Sequence, residues 1–458
     1  AYNQFFLVGM TLVSALPLGL EASLFYFMPG DRSNAATYFR QTALTLFLIG
    51  ALAGLVLMAL DEPLAALLNA PVVGALGPLL AIYVLFEIGG QLLALTVVIE
   101  RQAGLAALVF FVSDVLRAAA LIVPVWLTRD LFWLGVGAAG YAVLRSVGLV
   151  AWGLWTFRGV PSKAMDKELL KGQFKYSLPF GGSSLLDEGL RRFHQFFVSA
   201  SFSPALFAVY SVGLHELAPV TMFFSSLFDV VMVRMSELFH GDGQLAEVRR
   251  LWNRMLSGQA LFMVPLFVIL WVLADDFVVG LFTEQYVDSV PVFRVALLTL
   301  LLTMVNDHAV LRSCALTGFI FKATAVGLVA SLLAVPALAA LFGLPGAAGG
   351  FVVGVAVAKA LGVWRIGKRI DMPLKAALPW SAFARYGFAA ALVALVVQPT
   401  RAVFDGSLAT FFFTGGIFWV VFGAVVWLGN LIPNEDRELL GRAFAPFRSR
   451  FQRLWGHA

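Results

Sequence analysis

Charge is what this chain has least of. Only 13% of its 458 residues are Asp, Glu, Lys or Arg, where soluble domains carry about 25%. A water-facing surface on a chain this long needs more ionised groups than that. With 60% hydrophobic residues and a mean hydropathy of +0.88, lipid must replace water over much of the surface. Cysteine is nearly missing: Cys314 stands alone, which excludes an internal disulfide framework and a cysteine metal cluster. The five histidines are scattered and show no zinc spacing. A Gly-rich phosphate loop, a dinucleotide fingerprint and a Ser–His–Asp arrangement are also lacking, so neither a metal nor a cofactor is expected. The formal charge of +5 forms no basic stripe and sits on no soluble module, which argues against a nucleic-acid partner.

What the chain has instead is long apolar runs. A membrane-crossing helix needs about 20 mostly apolar residues, and thirteen segments qualify: 4–28, 41–60, 76–99, 103–127, 132–157, 176–200, 204–232, 255–274, 290–311, 323–342, 346–364, 378–398 and 407–431. Their length makes them helices, because backbone groups in lipid have to be satisfied internally. Membrane-barrel strands would read as short alternating stretches. Pro17, Pro179, Pro219, Pro265 and Pro336 within them predict kinks. With the first segment running inward, one set of loops holds 23 lysines and arginines, the opposite set holds Arg129 and Arg401, and seven lie inside segments. The positive-inside rule predicts such a split only for a correct segment count. The basic loops and the C-terminus are therefore expected in the cytoplasm, and the charges mark membrane lipids as partners. Thirteen crossings put the two ends on opposite sides. Since the chain opens at Ala1 without Met, one helix is expected ahead of it, making fourteen.

The longest inner loop, RGVPSKAMDKELLKGQFK (158–175), divides the chain. Its residues 164–175 have the spacing of an amphipathic helix lying in the headgroup layer. A second such stretch, QLAEVRRLW (244–252), follows the seventh segment, and Tyr38-Phe39-Arg40-Gln41 holds the equivalent place after the first. In both halves the order is helix, aromatic exit, Gly-Asp turn, amphipathic stretch and next helix, a weak repeat in parallel orientation. The Arg-rich tail is expected to rest on anionic lipid.

The stretches LGLEASLFYFMPGDRSNAATYFRQTAL and DEGLRRFHQFFVSASFSPALFAVYSVGLHELAPV, with the continuation FSSLFDVVMVRMSELF, resemble the Wzx-type polysaccharide-biosynthesis flippases. That group belongs to the superfamily of the multidrug and toxic-compound extruders and the lipid II flippase. The resemblance covers the whole chain in layout and about 100 residues in wording. It implies an all-α polytopic membrane protein of the MATE-like kind, with two six-helix lobes and two appended helices. On that plan residues 1–157 form the first lobe, 158–175 a linker, 176–365 the second lobe, 376–431 the appended pair and 432–458 the tail. The missing first helix is the departure from the pattern. The implied activity is transfer of an oligosaccharide carried on undecaprenyl diphosphate across the bacterial inner membrane by alternating access. Implied partners are that lipid-linked oligosaccharide and the polysaccharide polymerase and glycosyltransferases of surface-polysaccharide assembly, around a monomeric transporter.

Ionised residues inside apolar segments cost at least ~2.5 kcal/mol each near a helix centre, so they face a watery cavity or pair. Glu21, Asp229, Arg294, Lys359 and Arg385 are expected to snorkel or make single structural pairs. The sixth segment differs. Asp187, Arg191 and His194 recur at i, i+4, i+7, and Glu188, Arg192 and Gln195 repeat that spacing one residue on, giving two faces about 100° apart. Four charges within six residues resist dry burial, because desolvation exceeds pair attraction. They point to a hydrated chamber between the lobes. Arg145, Glu87 with Gln91, and Asp114 with Arg117 at i, i+3 supply polar positions from the first lobe, and Asn306, Asp307 and His308 from the ninth segment. Arginine grips phosphate in a bidentate fork and stays charged when buried. Arg117, Arg145, Arg191 and Arg192 are therefore the expected contacts for a diphosphate or acidic sugars, with Asp187, Glu188 and His194 beside them. Glu87, Asp114, Asp307 and His308 are candidates for coupling.

Two rival readings differ in class. A cation-coupled drug extruder would use a buried carboxylate, for which Asp114 or Glu87 serves. A membrane glycosyltransferase or ligase would use Asp275-Asp276 as a metal pair or base, but outer loops of about fifteen residues leave no room for a catalytic domain, and the expectation is a non-enzyme. Gly346, Gly350 and Gly354, at GxxxG spacing, predict close helix packing.

Overall fold

The computed structural model describes all residues except 1, 70, 101–102, 131, 216–219, 221–234, 236–237, 239–244, 314–315 and 433–458. Glu216, Pro219, Asp229, Gln244, Cys314, most of the segment 204–232 and the tail lie outside the described residues. Every regular element among the described residues is a helix. Ten are long and apolar enough to cross a membrane. One of them, Gly318–Arg369, covers two of the thirteen apolar runs. It reverses at Gly343, whose φ of 63° and ψ of −140° suit a residue without Cβ. The helix continues through Pro336, and Leu245–Val272 likewise continues through Pro265.

The described chain packs as two compact units, Ala1–Ser211 with Thr317–Ala358, and Val212–Leu316 with Lys359–Ala458. These are units of packing, and they differ in extent from the stretches 1–157 and 176–365 expected as lobes.

In the first unit, α1 (Tyr2–Ala15) and α2 (Leu20–Gly30) form one span broken at Pro17-Leu18-Gly19. There Leu18 and Gly19 both take positive φ, 49° and 72°. Then follow α3 (Ala35–Ala59), two short helices α4 (Asp61–Leu67) and α5 (Pro71–Ala75), α6 (Gly77–Gly90), α7 (Leu92–Ile99), α8 (Ala103–Thr128), α9 (Phe132–Thr156), α10 (Lys167–Ser201) and α11 (Pro204–Gly213). The core joins α1, α2, α3, α6 and α9 through Phe5, Leu24, Leu46, Leu80, Val84, Ile88 and Leu149. Helix α8 is largely exposed along its length.

Helix α10 is 35 residues long and is not one of the ten apolar spans. Lys175, Asp187, Glu188, Arg191 and Arg192 lie along it. The amphipathic stretch expected before it is not a separate helix but its first turns. Asp166 caps it, accepting from the backbone N–H groups of Glu168 and Leu169, which satisfies two otherwise orphan donors. Gln173 is fully buried; it accepts from Gln41 Nε2 and donates to the hydroxyls of Ser23 and Thr42, both at 3.0 Å. These bonds fasten α10 to α2 and α3.

The segment that reverses at Gly343 packs back on itself. A Cβ on Gly346 would meet the Leu338 carbonyl, one on Gly350 the Val335 backbone, and one on Gly354 the Ser331 side chain at 2.6 Å. The predicted close packing of these three glycines is what brings the two strokes of the hairpin together.

In the second unit, helix Leu245–Val272 packs on Val290–Thr303 and Trp380–Val397. Trp252 is fully buried and donates its indole N–H to the Ala377 carbonyl at 2.7 Å. Helix Ala274–Phe282 packs on Ser407–Leu428 through Phe277 and Phe411, rings 5.2 Å apart.

Candidate functional site

Ionised groups cluster in the first unit around α6, α8 and α9. Glu87 on α6 is 5% exposed. Its Oε1 lies 2.6 Å from Arg145 Nη1 on α9, with side chains 7% and 16% exposed. Close approach of these two helices makes the pair. A Cβ on Gly90 would sit 3.2 Å from Ser146 Oγ and 3.4 Å from Arg145 Cγ, and Ser146 donates to the Phe86 carbonyl at 2.7 Å. The second carboxylate oxygen, Glu87 Oε2, is buried with no hydrogen-bond partner among the described residues.

One turn before Glu87, Tyr83 lies within electrostatic reach of Glu87, Arg117, Arg145 and Tyr141. That brings Arg117 of α8 into the same neighbourhood. Arg117 and Asp114 are exposed, and neither has an ion-pair partner among the described residues. An unpaired arginine within an apolar span is costly unless water or an anion meets it. Helix α8 is held to α9 by a 2.6 Å hydrogen bond between Ser113 and Tyr141. Tyr83, Tyr141 and Ser113 carry no charge, so a search for ionised residues passes over them. Their spacing offers no other signal. Gln91 turns away from Glu87 and donates to the Val13 carbonyl.

On α10 the charges pair along the helix. Arg191 Nε is 2.9 Å from Asp187 Oδ2, with side chains 60% and 37% exposed, and Arg192 Nε is 2.9 Å from Glu188 Oε1, with side chains 27% and 14% exposed. His194 is in a different environment, 2% exposed. Its Nδ1 shares a 2.7 Å hydrogen bond with the Tyr210 hydroxyl, and its ring stacks on Phe351 at 4.2 Å. It packs three elements together.

In the second unit, helix Val290–Thr303 ends before residues 304–306, and a new helix starts at Asp307. Asp307 is 1% exposed and ion-paired to Lys359 at 2.7 Å. Gly362 leaves room for this carboxylate, which a Cβ there would strike. His308 is half-buried. Asp307 therefore sits with Lys359, in a different unit from Glu87, Asp114 and Arg117.

The aspartate pair read as a rival catalytic feature is committed elsewhere. Asp275 is paired with Arg294 and Asp276 with Arg401, both at 2.7 Å. Burial pushes the Asp276 carboxyl up, outweighing the pull of Arg401. Among the described residues no group of three His, Cys, Asp or Glu is placed to hold a metal ion. Arg385 lies over the Tyr386 ring at 5.1 Å, a cation–π contact.

Three solved structures show how far the fold is shared. The lipid II flippase MurJ in an inward closed conformation aligns over 94% of this chain and 93% of its own, with a TM-score of 0.75 at 12% identity. An inward-facing multidrug resistance MATE family transporter of the MOP superfamily aligns over 81% of this chain and 89% of its own, with a TM-score of 0.62 at 15% identity. A MOP superfamily transporter from Pyrococcus furiosus, whose binding pocket is described as reversed in polarity, aligns over 81% and 86%, with a TM-score of 0.53 at 17% identity. No curated protein sequence matches the chain. The family model described as polysaccharide biosynthesis protein matches residues 30–291, more than half of the chain. This multi-pass helical membrane protein, built on the fold of MurJ and the MATE transporters, belongs to the polysaccharide biosynthesis protein family.

Proposed function

We propose that the protein is a flippase that carries an oligosaccharide linked to undecaprenyl diphosphate across the inner membrane of a bacterium. Alternating access moves the cargo for cell-surface polysaccharide assembly, with the basic loops in the cytoplasm. The family supports a role in polysaccharide biosynthesis, and the fold is that of a lipid II flippase. The observation that carries the reading is Arg117, an exposed cation inside an apolar span with no ion-pair partner among the described residues. It stands in the neighbourhood of Arg145. Two guanidinium groups set in apolar helices suit a diphosphate, which they grip in bidentate forks. Asp187, Glu188, Arg191 and Arg192 add hydrogen-bonding groups for sugar hydroxyls, while His194 keeps α10 packed. The transporter works as a monomer and hands its cargo to a polymerase fed by glycosyltransferases.

The test is a reconstituted flipping assay in liposomes with a fluorescent lipid-linked sugar. Arg117→Ala combined with Arg145→Ala should lower the rate at least tenfold, the order of a lost charge-assisted contact, with an unchanged elution profile. Flipping at the wild-type rate removes the reading. A second reading, cation-coupled extrusion of organic cations, is favoured by Asp114 and Glu87 Oε2, neither of which has a partner among the described residues. Uptake of a fluorescent organic cation into the same liposomes, without flipping, would establish it.

A further inference from the structure

Basic residues crowd one end of the second unit, and few acids answer them. Residues 245–254 and 364–385 hold eight arginines and lysines against Glu247 and Asp371. Tertiary contacts fasten these two stretches together. Arg249 donates through Nε to the Ile370 carbonyl at 2.6 Å and through Nη2 to Asp371 at 3.1 Å. Trp252 donates to the Ala377 carbonyl at 2.7 Å, and Asn253 Nδ2 reaches Met372 Sδ at 4.0 Å. The first turns of helix Leu245–Val272 are thereby strapped to the loop between the helix ending at Arg369 and helix Trp380–Val397.

The strap commits Asp371 to Arg249 and leaves cations beside it uncompensated. Arg250, Lys368 and Lys375 are exposed and have no ion-pair partner among the described residues. Like charges fixed near one another repel, and an anion between them relieves the repulsion. Two indoles stand at the same end. Trp364 is 40% exposed and carries the Lys368 ammonium 4.1 Å over its ring, and Trp380 is 58% exposed. Tryptophan favours the headgroup level of a membrane. We propose that this end of the second unit is a binding site for an anionic phospholipid. Arg250 grips the phosphate in a fork, Lys368 and Lys375 add point charges, and the indoles flank the glycerol. A lipid fits better than a soluble anion, because both helices continue from these cations into apolar spans. None of these residues belongs to the proposed cargo path, so the lipid site stands whatever the cargo.

Phosphatidylglycerol is the probe, titrated into the delipidated full chain in detergent, with bound lipids counted by native mass spectrometry. Each basic residue near an anionic surface is worth about fivefold in affinity. Arg250→Gln, Lys368→Gln and Lys375→Gln should therefore each weaken binding about fivefold, and the triple variant about a hundredfold. A control triple on α10, Lys167→Gln with Lys171→Gln and Lys175→Gln, removes the same charge elsewhere and should bind as wild type does. Phosphatidylcholine, with no net charge, should bind all three proteins equally weakly. Equal loss in the two triples reduces the effect to diffuse surface charge and overturns the site. Undiminished binding by the first triple overturns it as well. Glycerol phosphate binding as tightly as the lipid assigns the cations to a soluble phosphate and overturns the lipid.

Discussion

Lys359 places its ammonium 2.7 Å from the carboxylate of Asp307, a residue only 1% exposed, at the point where the chain resumes a helix after the break at 304–306. Buried ion pairs add little net stability over apolar residues of the same shape. Removing one partner is a different matter, because it strands a charge.

Lys359→Met should therefore cost about 3–5 kcal/mol, and Asp307→Asn combined with Lys359→Met should recover most of it. Thermal unfolding of the purified variants in detergent checks this. A double variant as unstable as the single one would show that the pair does more than cancel charge.

The hairpin around Gly343 makes a second demand. The built Cβ at Gly350 falls on the backbone of Val335, and backbone cannot rotate aside as a long side chain can. Overpacking of this kind typically costs about 1–3 kcal/mol. Gly350→Ala should fall in that range, whereas Gly416→Ala, with nothing within 4 Å, should leave the unfolding midpoint unchanged. Equal midpoints for both would contradict the close approach.

Apolar runs made the spans legible because period and length are local properties. The run 176–200 reads as one of the thirteen apolar segments, yet its charges keep it out of the ten apolar spans, and it emerges as the end of a 35-residue helix. What local spacing does not encode is which distant residue covers a face. Asp187, Arg191 and His194 share the i, i+4, i+7 stripe, yet Phe351 and Tyr210 seal His194 while the other two stay exposed enough to meet solvent. The i, i+3 spacing of Asp114 and Arg117 likewise allowed a pair that the side chains do not make. Arg145 found its partner 58 positions away, a distance at which sequence spacing is silent. Charge inside a span marked these residues as consequential. The packing of α6 against α9 decided which of them meet.

Asp166 gives a pH-dependent prediction outside the membrane. Hydrogen bonding and attraction from Lys163, with the backbone N–H groups of Leu169 and Glu168, hold its carboxyl below the ordinary 3.8. A lowered value means that the stabilisation is fully present above pH 3.8 and is lost as pH falls below it through the folded value. Asn caps helices about as well as Asp, so Asp166→Asn isolates the charge. Acidification from pH 6 to pH 3 should lower the unfolding midpoint of wild type more than that of the variant, narrowing the gap between them. Identical acid sensitivity would assign the cap no ionic component.

The two arginines of α10 should part company when replaced singly. Arg191 and Asp187 are both substantially exposed, and exposed pairs contribute only about 0.2–1 kcal/mol. Arg191→Ala should thus unfold at nearly the wild-type midpoint, and any loss of flipping it causes reports on the cargo. Glu188 is only 14% exposed, so Arg192→Ala leaves a half-buried carboxylate without its partner and should cost about 1–3 kcal/mol as well. The double Ala variant should abolish flipping while the protein still elutes as a folded species. Parallel measurement of flipping rate and unfolding midpoint on the three variants separates recognition from stability. A double variant that flips at the wild-type rate would free both arginines from any part in transport and leave only the helix-stabilising pairs they form with Asp187 and Glu188.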